Sequence, residues 1–198
     1  MKAKFTEVLN DTLSYFLLGD IELLHDYQVK NGLPNDLATE FTTKETGDRV
    51  VEEGIMIPLS QVENLPYTII FLTDDEEPEL LKEGNDLQIR EDGYILNVAN
   101  GKIMLFTWWI LNYFTAEKVK EQIEHQHKFG KPQFELENGW YKLSILAGLT
   151  QQESSFKNQD GETIYITGLE PTFEFVLTKT TAEDQCTADI FRSYKIMQ

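Results

Sequence analysis

The chain has 198 residues, and its 34 acidic and 17 basic side chains give it a formal net charge of −17 at pH 7. A hydrophobic content of 41% supplies enough apolar side chains for a core, which argues against intrinsic disorder. So negative a charge disfavours nucleic acid and anionic membranes as partners. The single cysteine, Cys186, excludes an internal disulfide and is typical of a reducing compartment.

The charge is unevenly distributed along the chain. Residues 1–99 carry 21 acidic and 7 basic side chains, whereas residues 100–198 carry 13 and 10. Acids appear near the start before any apolar run, unlike in a secretion signal, and the longest apolar run, 103–114, is too short to span a bilayer. We therefore expect a cytoplasmic protein with a single domain over residues 1–198.

Short runs rich in Ile, Val, Phe, Tyr, Trp and Thr, bounded by Gly, Asn, Asp or Pro, predict a succession of β-strands. Turn signals recur roughly every ten residues, as in sandwiches and barrels. Asn100-Gly101, Asn138-Gly139 and Asp160-Gly161 are typical of tight hairpins and favour antiparallel pairing. The candidate strands are 12–18, 55–59, 67–73, 94–98, 102–113, 133–136, 140–146, 162–167, 172–178 and 190–196.

One helix is clearly predicted, over residues 115–128. Thr115 is a suitable N-cap, Val119 and Ile123 share a face, and Gly130 follows the last turn. Residues 21–29 fit either a helix or a strand, and the polar segment 30–53 is expected to be a long connection. The fold class is therefore all-β or β-dominated, an antiparallel β-sandwich with one or two short helices.

The densest acidic run lies between two predicted strands, over residues 74–86. It could dock on a basic partner, where carboxylates stand in for phosphates, or it could be a solvated hairpin tip. Calcium is a third possibility, although the spacing of a calcium loop is missing. The acidic side chains proposed for partner binding are Asp74, Asp75, Glu76, Glu77, Glu79 and Glu83, with Asp86 close by.

Adjacent tryptophans, Trp108 and Trp109, are the second candidate for partner binding. In a regular strand they would point to opposite faces, so that one of them would lie outside the main core. Trp140 and the neighbouring aromatic residues fit a packed core or, alternatively, an aromatic-lined ligand or sugar site.

Sites for chemistry are weakly indicated. His125 with Glu121 has the spacing of two metal ligands on a helix, but solvated side chains fit better because a zinc site needs further ligands. Cys186 is surrounded by acids, which disfavour a reactive thiolate. Catalytic serine motifs and phosphate-binding glycine loops are absent from the sequence, so we predict neither a catalytic residue, a metal nor a cofactor.

Residues 135–145, with the order acid, turn, Gly139, Trp140, Tyr141 and an apolar strand, resemble a strand entry of competence protein J. That bacterial family is a group of small β-sandwich inhibitors of the DNA-entry nuclease. Residues 53–59 and 67–72 are similar in order to its central strands. The resemblance implies a β-sandwich of inhibitor or immunity type and transfers no inhibitory residue.

Three functions stay open at this point. The first is a non-enzymatic binding protein that blocks a basic toxin or nuclease with residues 74–86. The second is a carbohydrate- or small-ligand-binding module, or an enzyme, with an aromatic-lined pocket. The third is a structural subunit with an obligate partner. The oligomeric state is left open.

Overall fold

The computed structural model describes residues 1–73, 75–157, 161–182 and 184–198, and only the backbone at Ser154 and Phe156. Its elements are β1 (Lys2–Val8), β2 (Phe16–Gly19), α1 (Ile21–Asn31), α2 (Leu37–Thr43), α3 (Thr46–Glu52), β3 (Met56–Leu59), β4 (Pro66–Thr73), β5 (Asp86–Val98), β6 (Lys102–Thr107), α4 (Ala116–Lys128), β7 (Gln133–Glu135), β8 (Gly139–Lys157) and β9 (Thr163–Thr180), with 3₁₀ helices at Glu79–Leu81 and Trp108–Tyr113.

The strands form two sheets. One has the order β1-β4-β9-β8-β5 and the other has the order β3-β2-β6-β7. Most neighbours are antiparallel, but β4 and β9 run parallel, with Ile69 opposite Phe173. The protein is thus strand-rich, as predicted, whereas the expectation of purely antiparallel pairing is wrong at the centre of the larger sheet.

The inner faces of the two sheets share one core. Along β9 the alternating residues Phe173, Phe175 and Leu177 are buried, as the period-two pattern predicts. The ring of Phe173 lies 6.3 Å from that of Phe16 in the smaller sheet, an edge-to-face contact. Apolar side chains from both sheets therefore fill the space between them.

The helices are more numerous than predicted. The helix near 115–128 is confirmed as α4, but segment 30–53 contains α2 and α3 rather than only a connection. The ambiguous segment 21–29 is α1, in which the Asp20 carboxylate accepts hydrogen bonds from the N–H groups of Glu22 and Leu23. Gly32, with a φ of 61°, ends that helix in the left-handed conformation.

Two of the predicted hairpins are instead crossings between sheets. Asn100-Gly101 leads from β5 to β6, and Asn138-Gly139 leads from β7 to β8. The first turn is held by the buried Asp20, which accepts from the N–H groups of Ala99 and Asn100. Only the connection through Gly161, between β8 and β9, is a hairpin as predicted.

Several predicted strands have other structures. Residues 12–18 contain only the short β2, and residues 108–113 form a 3₁₀ helix. Residues 190–196 contribute one isolated bridge, Ser60 with Ser193, and are otherwise irregular. Within the described parts of the chain, no helix is long and apolar enough to cross a bilayer.

Candidate functional site

A cleft of about 650 Å³ opens beside β5, the edge strand of the larger sheet. Helix α1 forms one wall, the turn after α3 forms another, and described residues of segment 182–186 form the third. The backbone N–H of Asn97 donates to the carbonyl of Gly54 at 2.8 Å, which joins the turn to β5. The cleft is thus built where three separate segments meet one strand.

Carboxylates dominate the charge of this cleft. Asp26 on α1, Glu52 and Glu53 at the end of α3, and Asp184 line it together with Lys30. Asp184 already lies 3.1 Å from Nζ of Lys142. Asp26, Glu52 and Glu53 are exposed to solvent. Three carboxylates therefore remain accessible around one opening.

The floor of the cleft is aromatic and apolar. Trp140 lies half-buried, and Tyr27 is buried between α1 and the core. A Cβ on Gly54 would lie 2.9 Å from Cζ3 of the Trp140 ring, so only glycine allows the turn to approach so closely. Gly54 also has a φ of 66°, which glycine adopts without strain.

The Tyr27 phenol stays protonated at neutral pH. Burial raises its pKa, the carboxylate of Glu53 raises it further, and Arg49 partly opposes them. A phenol held in this form can donate a hydrogen bond.

An acidic rim around an aromatic floor suits a cation. Carboxylates attract an ammonium or guanidinium group, and the face of a tryptophan ring stabilises a cation that lies within about 6 Å of its centroid. The apolar floor provides contact area for the aliphatic stem of a long cationic side chain.

Sequence reasoning missed this cleft. Asp26 lies in a segment that fits either a helix or a strand, and Glu52 and Glu53 lie in one expected to be a connection, so nothing indicated that they share an opening. Asp20 before Ile21 and Gly32 after α1 are ordinary start and stop signals that would have revealed the first helix.

The acidic run 74–86 is a crossover connection, which corrects the prediction of a hairpin tip. Because β4 and β5 are not neighbours, the chain crosses β9 and β8 on the outer face of the larger sheet. We call residues 75–85 the acidic crossover. Its Leu80 side chain is buried. Asp74, a predicted binding residue, lies outside the described residues.

Several acids of the crossover already have cationic neighbours. The Glu79 carboxylate lies 2.6 Å from Nζ of Lys2, and this hydrogen bond holds the pKa of Glu79 below its usual value. The N-terminal amine lies 3.0 Å from Asp75 and 3.6 Å from Glu76. Glu77 and Glu83 are exposed and, among the described residues, form no ion pair.

A buried carboxylate anchors the crossover from below. Glu174 on β9 accepts hydrogen bonds from the backbone N–H groups of Glu79 and Leu80, each at 2.8 Å. Burial raises the pKa of Glu174, while these two N–H groups and Lys2 lower it. The crossover is therefore fixed to the sheet by its backbone, which leaves its acidic side chains outside.

The two tryptophans do lie on opposite sides, although in a 3₁₀ helix rather than a strand. Trp108 is buried against Tyr15, with ring centroids 5.0 Å apart, and lines a second cavity of about 600 Å³. Trp109 is 72% exposed and lines a shallow groove with Tyr113, which is 64% exposed. The structure does not bring either tryptophan into the acidic crossover or the cleft.

His125 lies over Phe129, with ring centroids 4.7 Å apart. Within the described residues, no group of three or more His, Cys, Asp or Glu side chains is placed to hold a metal ion. Cys186 is unpaired and lines the acidic cleft.

Comparison with known proteins adds one structural neighbour. No protein-family model matches the chain, and no curated protein matches it. A solved structure entitled "Crocagin biosynthetic gene J" has a TM-score of 0.41 and 10% sequence identity, covering 89% of this chain and 96% of that one. The assignment of function therefore depends on the geometry of the cleft.

Proposed function

We propose that this chain is a non-enzymatic binding protein for a basic polypeptide, and that the acidic cleft receives a lysine or arginine side chain of that partner. The observation that carries the proposal is the opening lined by Asp26, Glu52, Glu53 and Asp184 over Trp140. A long cationic side chain places its charge among carboxylates and its stem against the ring.

The acidic crossover has a different part in this proposal. Its exposed acids and the net charge of −17 create a field that speeds the encounter with a basic surface. Such steering acts on the association rate, whereas a side chain buried in the cleft acts on the dissociation rate. The crossover attracts the partner and the cleft retains it.

A toxin or nuclease is the partner class that this proposal favours, because enzymes acting on nucleic acid present basic surfaces. The chain would then be an immunity protein or inhibitor on a β-sandwich scaffold. The unpaired Cys186 agrees with a reducing cytoplasm.

A matched pair of variants tests the role of the cleft. Asp26→Asn, Glu52→Gln and Glu53→Gln together remove three charges from the cleft. Glu77→Gln, Glu83→Gln and Asp86→Asn remove three from the crossover region. With a short lysine-rich peptide as the probe, we expect the cleft variant to dissociate about tenfold faster and the crossover variant to keep the native dissociation rate.

Equal dissociation rates in the two variants would overturn the proposal. Free arginine or a polyamine binding the cleft as tightly as the peptide would instead support the second hypothesis, a small-ligand module. The nuclear magnetic resonance signal of Trp140 reports on the cleft directly. If the peptide binds and this signal does not change, the cleft is excluded as the binding site.

A further inference from the structure

The second cavity, of about 600 Å³, is lined by aromatic side chains. Helices α2 and α3 and strand β3 contribute residues to its walls, together with Tyr15, Trp108 and Phe191. Phe41 and Trp108 are buried, Tyr15 is half-buried, and Phe191 is 77% exposed. Aromatic rings pack favourably in offset or edge-to-face contact with other rings. This site, which we call the aromatic cavity, therefore suits an aromatic side chain.

Helix α3 lies between the aromatic cavity and the acidic cleft. Gly47, Asp48 and Val51 line the cavity, whereas the next two residues along the chain, Glu52 and Glu53, line the cleft. Asp48 and Glu52 are four residues apart, so they are neighbours on one face of the helix, with Cβ atoms about 5–6 Å apart. Both are exposed to solvent. The two sites therefore meet along the exposed face of α3.

The exposed face of α3 carries an excess of carboxylates. Glu45, Asp48 and Glu52 are exposed, and among the described residues none of the three forms an ion pair. Helix α3 contributes one cation, Arg49, while the nearby Lys44 is already paired with an acid of α2. Because like charges four residues apart on a helix repel each other, a cation placed over Asp48 and Glu52 is stabilising. This face therefore favours a basic segment.

We propose that one short segment of the partner lies across α3 and occupies both sites, with a lysine or arginine side chain in the acidic cleft and an aromatic side chain in the aromatic cavity. The inference rests on the proposed function, since it takes the partner to be a basic polypeptide. Aromatic and arginine side chains that enter pockets supply most of the binding energy in protein interfaces. The partner is thus recognised by a pair of side chains rather than by its charge alone.

The width of α3 sets the spacing of these two side chains. A helix with its side chains is about 10–12 Å across. In an extended segment, side chains two positions apart are separated by about 7 Å and those four positions apart by about 13 Å, while those three positions apart point to opposite sides. We therefore expect the aromatic residue four positions from the basic one, in either chain direction.

Four synthetic peptides with capped ends test the inference. Each has one lysine in a background of threonine and serine. Two of them place phenylalanine four positions after or four positions before the lysine, the third places it three positions after, and the fourth has alanine in place of phenylalanine. We expect one of the first two to bind about tenfold or more tightly than the alanine peptide, and the three-residue spacing to lose most of that gain.

The three tryptophans of the chain report on the sites separately. Trp140 lines the acidic cleft, Trp108 lines the aromatic cavity, and Trp109 lines neither. In nuclear magnetic resonance spectra of the indole N–H groups, the tight phenylalanine peptide should shift the signals of both Trp140 and Trp108. The alanine peptide should shift that of Trp140 alone, and the signal of Trp109 should move least with either peptide.

A pair of variants separates the aromatic cavity from exposed aromatic side chains in general. Phe191→Ala removes a ring from the cavity, and Tyr113→Ala removes a ring of similar exposure from the groove beside Trp109. Since both side chains are largely exposed, circular dichroism should show native folding. We expect Phe191→Ala to weaken the tight phenylalanine peptide about fivefold without changing the alanine peptide, and Tyr113→Ala to change neither by more than about twofold.

Equal affinity of the phenylalanine and alanine peptides would overturn the inference, and a shift of Trp140 with both peptides would then still support the proposed function. A shift of Trp108 alone would overturn the inference and the proposed function together. Equal affinity at the three-residue and four-residue spacings would overturn the inference as well, because two independent contacts rather than one segment across α3 would then explain binding.

Discussion

At the scale of single residues, buried polar groups fix the parts of this fold that its turn signals leave undetermined. Asp20 both caps α1 and binds the turn after β5, so one carboxylate ties a helix start to a crossing between sheets. The cap could be predicted from its position before Ile21. Its second set of donors could not, because the chain from 20 to 100 carries no local sign of that contact.

Buried tyrosines lower the free energy of unfolding at alkaline pH. The hydroxyl groups of Tyr94 and Tyr194 lie 3.3 Å apart, and burial raises the pKa of Tyr94 to about 12 and that of Tyr194 above its usual value. As pH rises past about 10, the unfolded chain loses these protons first, so the free energy of unfolding falls. Urea unfolding at increasing pH should show this decline, with a shallower slope for Tyr94→Phe. Identical slopes would contradict the assignment.

At the scale of elements, the acidic crossover depends on one carboxylate beneath it. Glu174→Gln leaves a single oxygen for two backbone donors, and one unsatisfied buried donor costs about 1–3 kcal/mol. We expect amide hydrogen exchange at Glu79 and Leu80 to accelerate about tenfold or more. Glu170→Gln, an exposed change on the same strand, is the control. Unchanged exchange in Glu174→Gln would show that other contacts, such as the burial of Leu80 and the ion pair of Glu79 with Lys2, hold the crossover.

The elements differ in how well the sequence predicts them. Strands with alternating burial, such as β9, are recognisable from their period of two, and α4 is recognisable from its cap and apolar face. The prediction of one strand over 102–113 was wrong from residue 108 onward, because Trp108 and Trp109 are residues that favour strands. Its buried residues Trp108 and Leu111 are three apart, which is the spacing of a 3₁₀ helix.

The cleft was unpredictable for a related reason. Its carboxylates belong to α1, to the end of α3 and, at Asp184, to a residue outside the helices and strands. Each is ordinary in its own sequence context. The hydrogen bond from Asn97 to Gly54 brings the turn after α3 to β5, a contact between residues that are far apart in the sequence.

At the scale of the whole molecule, the uneven charge seen in the sequence is partly neutralised in the fold. Lys2 and Lys82 both approach Glu79, whereas Glu77 and Glu83 keep their charge in solvent. The sequence therefore predicts the sign of the surface correctly but overstates how many carboxylates of residues 74–86 are free to meet a partner.

Charge reversal of the crossover should change the speed of binding rather than its persistence. We expect replacement of Asp74, Asp75, Glu76 and Glu77 by lysine to slow association with a basic partner strongly at low salt. The difference should shrink at physiological salt, where screening acts beyond about 8 Å. Stopped-flow association rates measure this. An unchanged rate at low salt would mean that these residues only keep the protein soluble.

The position of β9 in the chain has a consequence for biosynthesis. Among the described strands it is synthesised after all the others, yet it occupies the centre of the larger sheet, between β4 and β8. Translation proceeds at about 5–20 residues per second, so the edge of β4 that will pair with β9 stays without its partner for several seconds. A nascent chain is therefore exposed to chaperones and to misassembly until residue 180 has emerged. A ribosome stalled before Thr163 would carry an incomplete larger sheet, in which an unpaired edge of β4 is open to pairing with a strand of another chain.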